Sequence, residues 1–342
     1  DTKELLRLKR EGKILGVPGL RIVDRAWLKQ NEPNLNSEAV CGLYAPTAGI
    51  ISPYRLVYAL AENAVRNGVE IHTETKVVNI VRAGKYFEID TSAGIFQSRY
   101  LINAAGLFAD DISSMLGICD FTVKPRKGEE FILDKKKENL ANHLIFPLPS
   151  KISKGVLIIK TADGNSMIGP TAEDLEDKED LSTSDEGLQK VLASARRLVP
   201  SINDKDIIAY FAGLRPAAGD DFIIRHEEKA PGFINVAGIQ SPGLTASPAI
   251  ALLVCNILKN AGLSFKKKFI FHTHRRKIVY LFAIPFSKTK GLIRKDASYG
   301  DIVCRCEMVS AKEIRDAVTK GAKTMDGIKF RTRAQAGRCH GS

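Results

Sequence analysis

Cysteine and tryptophan are scarce here: six cysteines and a single tryptophan in 342 residues. The cysteines have no even spacing, which argues against a disulfide framework and for a reducing compartment. No two glycines are separated by a single residue, so a G-x-G-x-x-G dinucleotide turn is excluded from this stretch of chain. The apolar run at 278–286, IVYLFAIPF, is too short to span a bilayer and is broken by Pro285. There is no internal repeat. The opening residues, DTKELLRLKREGK, are charged and helix-like, and are neither a signal peptide nor an initiator-methionine start. The chain therefore reads as part of a longer protein.

What is present is ordinary for a soluble globular protein: 44% apolar and 26% charged residues, and length enough for two or three domains. The net charge of +12 is concentrated. Residues 264–295 hold ten Lys/Arg and no acid, and setting those ten aside leaves +2. The basic charge thus belongs to one connector. It suits a linker packed on a neighbouring domain, a membrane surface or an acidic partner; no nucleic-acid module accompanies it.

Along the chain, SPYRLVYALAENAVRNG predicts a helix, with Ser52 as cap, Pro53 at the first position and Gly68 as stop. VEIH after it predicts a short strand. KVVNIVRA, KYFEIDTS and IFQSRY predict an antiparallel meander. YLIN predicts a strand that runs into the small residues Ala104, Ala105 and Gly106, where another backbone or a ligand can come close. A helix is expected at about 108–116. A second, mainly antiparallel sheet follows from residue 119, then an acidic loop and a helix from Ser184 to before Pro200. DIIAYFAGLRPA and DDFIIRHE predict strands. GFINVA then leads through Gly238-Ile-Gln-Ser241-Pro242-Gly243-Leu244-Thr245 into a long apolar helix. A strand-to-helix turn of this kind leaves backbone N–H groups free beside a positive helix end. It suits a phosphate, a carboxylate or an electron-rich carbonyl; the alternative is a plain tight turn.

GIQSPGLTASPAIA, NAAGLFAD, YFAGLRPAAGDDFIIR and YAPTAGIISPYRL together resemble the FAD-dependent oxidoreductases of the D-amino-acid oxidase superfamily. The nearest branches are the anaerobic-type glycerol-3-phosphate dehydrogenases and the L-2-hydroxyglutarate oxidases. The resemblance covers residues 1 to about 262 and implies a mixed α/β (α+β) fold. An incomplete FAD-binding Rossmann-like domain would carry an antiparallel β substrate domain at about 119–212, with a basic linker over 263–300. It also implies a chain that starts after the fingerprint holding the FAD pyrophosphate, and so an inactive fragment. Val77 would lie near the adenine. Ala104, Ala105 and Gly106 would sit against ribose and pyrophosphate. Gly213 and the turn Gly238, Ser241, Pro242, Gly243, Leu244 and Thr245 would border the flavin, with the last two N–H groups near its pyrimidine carbonyl. Arg215 in GLRP would hold the acidic end of a small anionic substrate; Lys127 and Arg225 are further candidates. No general base stands out, since His72, His143, His226, His272, His274 and His340 are scattered.

Half of the cysteines fall in the last 39 residues: Cys304, Cys306 and Cys339. Just after the C-x-C pair, Val309-Ser310-Ala-Lys-Glu313-Ile314 predicts a capping box and a helix over 311–320. A short helix or turn and another helix from about Thr332 are expected next. The pattern resembles the small [2Fe–2S] domain of the bacterioferritin-associated ferredoxin type. That domain's fourth cysteine would fall two residues beyond Ser342. A zinc site using His340 and unligated cysteines are the other readings. With a cluster, electrons would leave toward a partner protein, in the cytoplasm or at a membrane through that partner. The resemblances imply oxidation of glycerol 3-phosphate to dihydroxyacetone phosphate. The alternatives are an L-2-hydroxyglutarate enzyme and a non-catalytic electron-transfer or scaffold subunit.

Overall fold

Side-chain caps place most of the helix starts, and one ten-residue strand organises the larger sheet. The computed structural model describes residues 2–149, 154–275 and 278–341. Of the basic connector, Arg276 and Lys277 lie outside the described residues.

The chain begins with α1 (Thr2–Ile14), β1 (Arg21–Asp24), α2 (Arg25–Asn31), β2 (Cys41–Tyr44) and α3 (Pro53–Arg66). β1 and β2 form an antiparallel pair. Ser52 caps α3 by accepting from the Arg55 N–H, and Pro53 occupies the first turn. A meander follows: β3 (Val77–Ala83), β4 (Tyr86–Thr91) and β5 (Gly94–Ser98). Next come β6 (Leu101–Asn103) and α4 (Ala109–Ser114). The expected strand at 69–72 does not form. Val69 and Ile71 stay about half exposed, and no other strand pairs with them among the described residues. The end of α3 is instead tied to the connector: Asn63 and Asn67 donate to the His272 carbonyl, and Lys268 donates to that of Asn67.

The largest sheet among the described residues consists of β7 (Lys124–Leu133), β8 (Leu157–Lys160), β9 (Ser166–Gly169), β10 (Glu173–Asp174) and β11 (Ile207–Ala217). β11 runs antiparallel along the whole of one edge of β7, while β9 and β10 share the other edge. Helix α5 (Asp185–Leu198) covers one face, where Val191, Leu192 and Ala195 pack on Phe131, Leu133, Ile158 and Ile168. Glu129 of β7 points into the start of this helix. Its Oε1 accepts from the N–H and hydroxyl of the cap residue Ser184, and its Oε2 is buried with no partner among the described residues. Gly187 makes room for it, since a Cβ there would lie 1.3 Å from Oε2. Gly187→Ala should therefore destabilise by roughly 1–3 kcal/mol through overpacking. That outweighs the ~1 kcal/mol helix-propensity gain of such a change. A thermal melt checks it: the Tm should fall, and a rise would show that the carboxylate can move aside.

A third sheet joins β12 (Ile223–His226), β13 (Phe233–Ala237) and β6, with β13 and β6 parallel. Helix α6 (Gly243–Asn260) follows, and its Val254 and Leu258 pack on Ile234. By length and composition this helix is apolar enough to cross a membrane; here it lies on the sheet. The apolar stretch of the connector forms a 3₁₀ turn at Leu281–Ala283, where Leu281 is buried. Then come α7 (Phe286–Lys295), β14 (Ile302–Cys304), β15 (Val309–Ser310), α8 (Ala311–Thr319) and α9 (Met325–Thr332). The capping box at Ser310 and Glu313 is present, and Glu313 also accepts from the Leu281 N–H. No helix begins near Thr332. Helix α9 ends there, because Arg333 turns into the left-handed region at φ 72°.

Candidate functional site

Two glycine-bearing turns meet because β6 and β13 are parallel neighbours, with Asn103 level with Asn235. Both strands therefore end on the same side, the side on which parallel sheets bind ligands. Ala104, Ala105 and Gly106 leave β6 there, and Gly238 to Thr245 leave β13. Ala104 and Ala105 are exposed, and Gly106, at φ +60°, has open space where a side chain would be. Gly238, at φ +66°, lies too close to Ala218 for a Cβ. Helix α6 has no side-chain cap, and the N–H groups of Leu244 and Thr245 have no hydrogen-bond partner among the described residues. Ser241 and Pro242 in this turn are exposed, and Val77 at the head of β3 is half-buried.

A buried polar network locks the two strands in register. Asn103 donates to Asn235 and to the Ala109 carbonyl, Ser113 donates to Asn235, and Asn235 donates to Glu227. Arg225 ends this network, paired with Glu227 at 2.9 Å and with Asp120 at 2.5 Å. Its charge is already matched within β12 and its neighbours.

The second half of the site is the face of the β7/β11 sheet opposite α5. Directly paired residues share a face, and alternate residues along a strand do too. Arg126 pairs with Arg215, Gly128 with Gly213 and Glu130 with Phe211. These six side-chain positions thus face the same way. Gly213 leaves open space, since a Cβ there would touch nothing within 4 Å, whereas Gly128 is a close-packed floor, where a Cβ would lie 2.7 Å from that of Pro170. Arg215 reaches over Gly128, where a Cβ would lie 3.0 Å from its Nη2. Its Nη2 donates to the carbonyls of Thr171 at 2.7 Å and Lys127 at 3.2 Å, and its Nε to that of Arg126 at 3.3 Å. Burial, and then the neighbouring Arg126 charge, hold its guanidinium below the usual arginine range. Arg126 pairs with Asp174 at 2.6 Å and points its Nη1 to Gln240, inside the glycine-bearing turn. That contact joins the two halves of the site.

Lys127 faces the other way. It is buried, and its Nζ binds Asp180 at 2.7 Å and the Ser182 carbonyl. The alternation of the strand puts Arg126, not Lys127, beside Arg215. Glu130 is the other residue that the sequence did not single out. Burial pushes its carboxyl up to about 7, against the opposing pull of Arg215. Tyr54, at the start of α3, is also pushed up, by burial first and by Glu130 second. None of the histidines joins this face: His143 pairs with Glu32 at 2.6 Å, and His226 accepts from the Gly232 N–H.

The cysteine end packs against this sheet. Cys306 Sγ donates to Cys339 Sγ at 3.3 Å, and the Gly341 N–H donates to Cys339 at 3.5 Å. The Gly341 contact holds the Cys339 thiol below its ordinary range, while donating to Cys339 holds Cys306 above it. Cys304 is near enough to act on Cys306 electrostatically. Gly337 lets the closing loop reach the C-x-C turn, since a Cβ there would be 2.6 Å from that of Cys306. His340 directs its Nε2 to the Ile208 carbonyl at 2.6 Å, not toward the thiols. Among the described residues no group of three or more His, Cys, Asp or Glu side chains is set around a single metal position. Cys304, Cys306 and Cys339 are all free thiols, and an iron–sulfur cluster takes four thiolates.

Arg333 fastens this small domain to the large one. Its Nε donates to Glu307, its Nη1 to Asp163 and its Nη2 to Asn165, each at 2.9 Å. Lys135 reaches the same buried Glu307 at 2.7 Å. Phe330 stacks on Tyr54 with ring centroids 4.5 Å apart, and Arg331 binds Glu62 at 3.0 Å.

Two family models match the chain. Residues 1–257 match the family model for FAD dependent oxidoreductases, and residues 302–341 match that for BFD-like [2Fe-2S] binding domains. Over its whole length the chain is 42% identical to a glycerol 3-phosphate dehydrogenase of Caloramator mitchellensis, of which it covers 72%. It is 23% identical to the anaerobic glycerol-3-phosphate dehydrogenase subunit A1 of Haloferax volcanii, again over the whole chain and 65% of that protein. Among solved structures, the FAD-bound L-alpha-glycerophosphate oxidase of Mycoplasma pneumoniae superposes with a TM-score of 0.73. The identity is 30%, over 79% of this chain and 72% of that one.

Proposed function

This chain belongs to the FAD-dependent oxidoreductase family and carries a BFD-like [2Fe–2S] domain, and from that premise we propose that it oxidises the secondary alcohol of glycerol 3-phosphate, or of a close relative, to a ketone. One observation carries the choice of an anionic substrate: Arg126 and Arg215 stand side by side over the Gly128–Gly213 floor. Asp174 serves Arg126, whereas among the described residues Arg215 donates only to backbone carbonyls. A phosphate placed there relieves the repulsion between the two cations and takes charge-assisted hydrogen bonds from Arg215. The activities of the Caloramator and Mycoplasma relatives favour a glycerol phosphate over other anions.

Ala104, Ala105 and Gly106 border the ribose and pyrophosphate of FAD in this reading, Val77 its adenine, and the Gly238–Thr245 turn its flavin ring. Cys304, Cys306 and Cys339 hold the cluster. When bound, FAD supplies a two-electron hydride acceptor and the cluster a one-electron outlet. The N–H groups of Leu244 and Thr245, free among the described residues, would face the flavin's pyrimidine edge and favour negative charge there. Gln240 links that turn to Arg126, so that the anion's position is tied to the ring's. An electron-accepting protein partner suits the cluster and the Haloferax relative's description as a subunit. The basic connector is a docking surface for it, either in the cytoplasm or at a membrane through that partner.

The test is a visible spectrum of the full-length protein prepared anaerobically. Flavin and cluster bands are expected, and glycerol 3-phosphate should bleach them where L-2-hydroxyglutarate does not. Bleaching by L-2-hydroxyglutarate alone would transfer the enzyme to that substrate. Bleaching by neither would remove both.

A further inference from the structure

The site has a negative end as well as a positive one. Glu130 lies two residues from Gly128 on the same face of β7, and so about 7 Å from the floor over which Arg215 extends. Gly169 of β9 borders Glu130 on one side, where a Cβ would lie 2.7 Å from its Cγ. Phe211 of β11 faces it on the other side, and Tyr54 approaches from α3. Arg215 is the one charged group that acts on it, from the far side of the floor, and neither a hydrogen bond nor an ion pair occupies its carboxyl among the described residues. A three-carbon phosphate held by Arg126 and Arg215 therefore directs its other end at Glu130.

We propose that Glu130 is a specificity-determining residue of this site: it accepts hydrogen bonds from the terminal hydroxyl of a polyol phosphate and repels substrates that carry a carboxylate at that end. This rests on the reading of the site as a glycerol-phosphate site, and it identifies what Arg215 leaves undecided, since an arginine serves phosphates and dicarboxylates alike. Rejection by a like charge is a more selective device than a further attractive contact, because the unwanted ligand brings its own penalty. The device has a pH dependence. Burial keeps the carboxyl titrating at about 7. Glu130 is therefore ionised above that pH and repels, and it is neutral below it and tolerates a carboxylate. The other ionisable groups facing the space are Arg126 with its partner Asp174, Arg215 and the Tyr54 phenol. None of them changes charge between pH 5.5 and 8.5, as roughly judged from ordinary side-chain values.

Two ligands of equal length separate this from the function itself. Glycerol 3-phosphate ends in a hydroxymethyl group and 3-phosphoglycerate in a carboxylate. Equilibrium binding of each to the full-length protein, with its FAD reduced beforehand by dithionite under anaerobic conditions so that no oxidation follows, is measured by calorimetry at pH 8.5 and pH 5.5, in the wild type and in Glu130→Gln. At pH 8.5 the wild type should prefer glycerol 3-phosphate by about tenfold or more. That preference should shrink to within about twofold in Glu130→Gln, and in the wild type at pH 5.5. An unchanged preference in Glu130→Gln overturns the assignment. So does equal binding of the two ligands by the wild type at pH 8.5. A wild type that binds both as expected but oxidises no glycerol 3-phosphate removes the proposed reaction and leaves the role of Glu130 standing. A wild type that binds neither removes both. A circular dichroism melt of Glu130→Gln, with a Tm near the wild-type value, accompanies the comparison.

Discussion

Arg215→Ala is expected to raise the KM for glycerol 3-phosphate steeply while lowering kcat less. Removing one member of a desolvated, hydrogen-bonded charge pair costs roughly 2–5 kcal/mol. That corresponds to a fall in kcat/KM of about thirtyfold to several thousandfold. The variant has a second cost, because the carbonyls of Arg126, Lys127 and Thr171 each lose a donor. Arg215→Lys separates the two effects. It keeps the charge but not the planar fork, and so should recover part of the KM and little of the backbone bonding. Steady-state kinetics and thermal melts on both variants are the measurements. A KM that stays at the wild-type value in Arg215→Ala would take this arginine out of the substrate site, whatever happened to the Tm.

Arg333→Ala is expected to loosen the cluster domain without stopping substrate oxidation. Three donor groups of one guanidinium bind Glu307, Asp163 and Asn165, and Glu307 is almost wholly buried at 3% exposure. Breaking a buried ion pair costs roughly 3–5 kcal/mol, and the low end applies because Lys135 remains on Glu307. Amide exchange should rise over residues 302–341, and electron delivery to a protein acceptor should fall well below the wild-type rate. Bleaching of the flavin band by glycerol 3-phosphate should persist. Wild-type exchange protection in this segment would show that the remaining contacts, Phe330 on Tyr54 and Arg331 on Glu62, hold the domain without Arg333.

The sequence was most legible where one residue type settles local geometry. Ser52, Ser184 and Ser310 each cap the helix expected of them. The glycine-bearing turns at 104–106 and 238–245 were legible too, and parallel pairing of β6 with β13 brings them together. Local pattern failed at 69–72, where an apolar alternation finds no strand to pair with, because the end of α3 is bonded to the connector instead. It also failed at Thr332, where Arg333 leaves the helical region and gains three hydrogen bonds by doing so. In PRKGEEF two cations are adjacent, and only strand register decides which one meets Arg215. The pairing of Arg126 with Arg215 decides for Arg126 and turns Lys127 toward Asp180. Glu129 and Glu130 divide in the same way, one under α5 and one on the face that carries Arg126 and Arg215.

Strand β11 carries a constraint of another kind. Near its start, the Ile208 carbonyl anchors His340 beside the cysteines, and seven residues later it presents Arg215. The two points are about 23 Å apart along an extended chain. A substitution between them leaves this spacing and the side to which Arg215 points unchanged. Insertion or loss of a single residue would turn Arg215 to the α5 face while the cysteine loop stayed anchored. The site therefore depends on the number of residues in this segment more than on their identity.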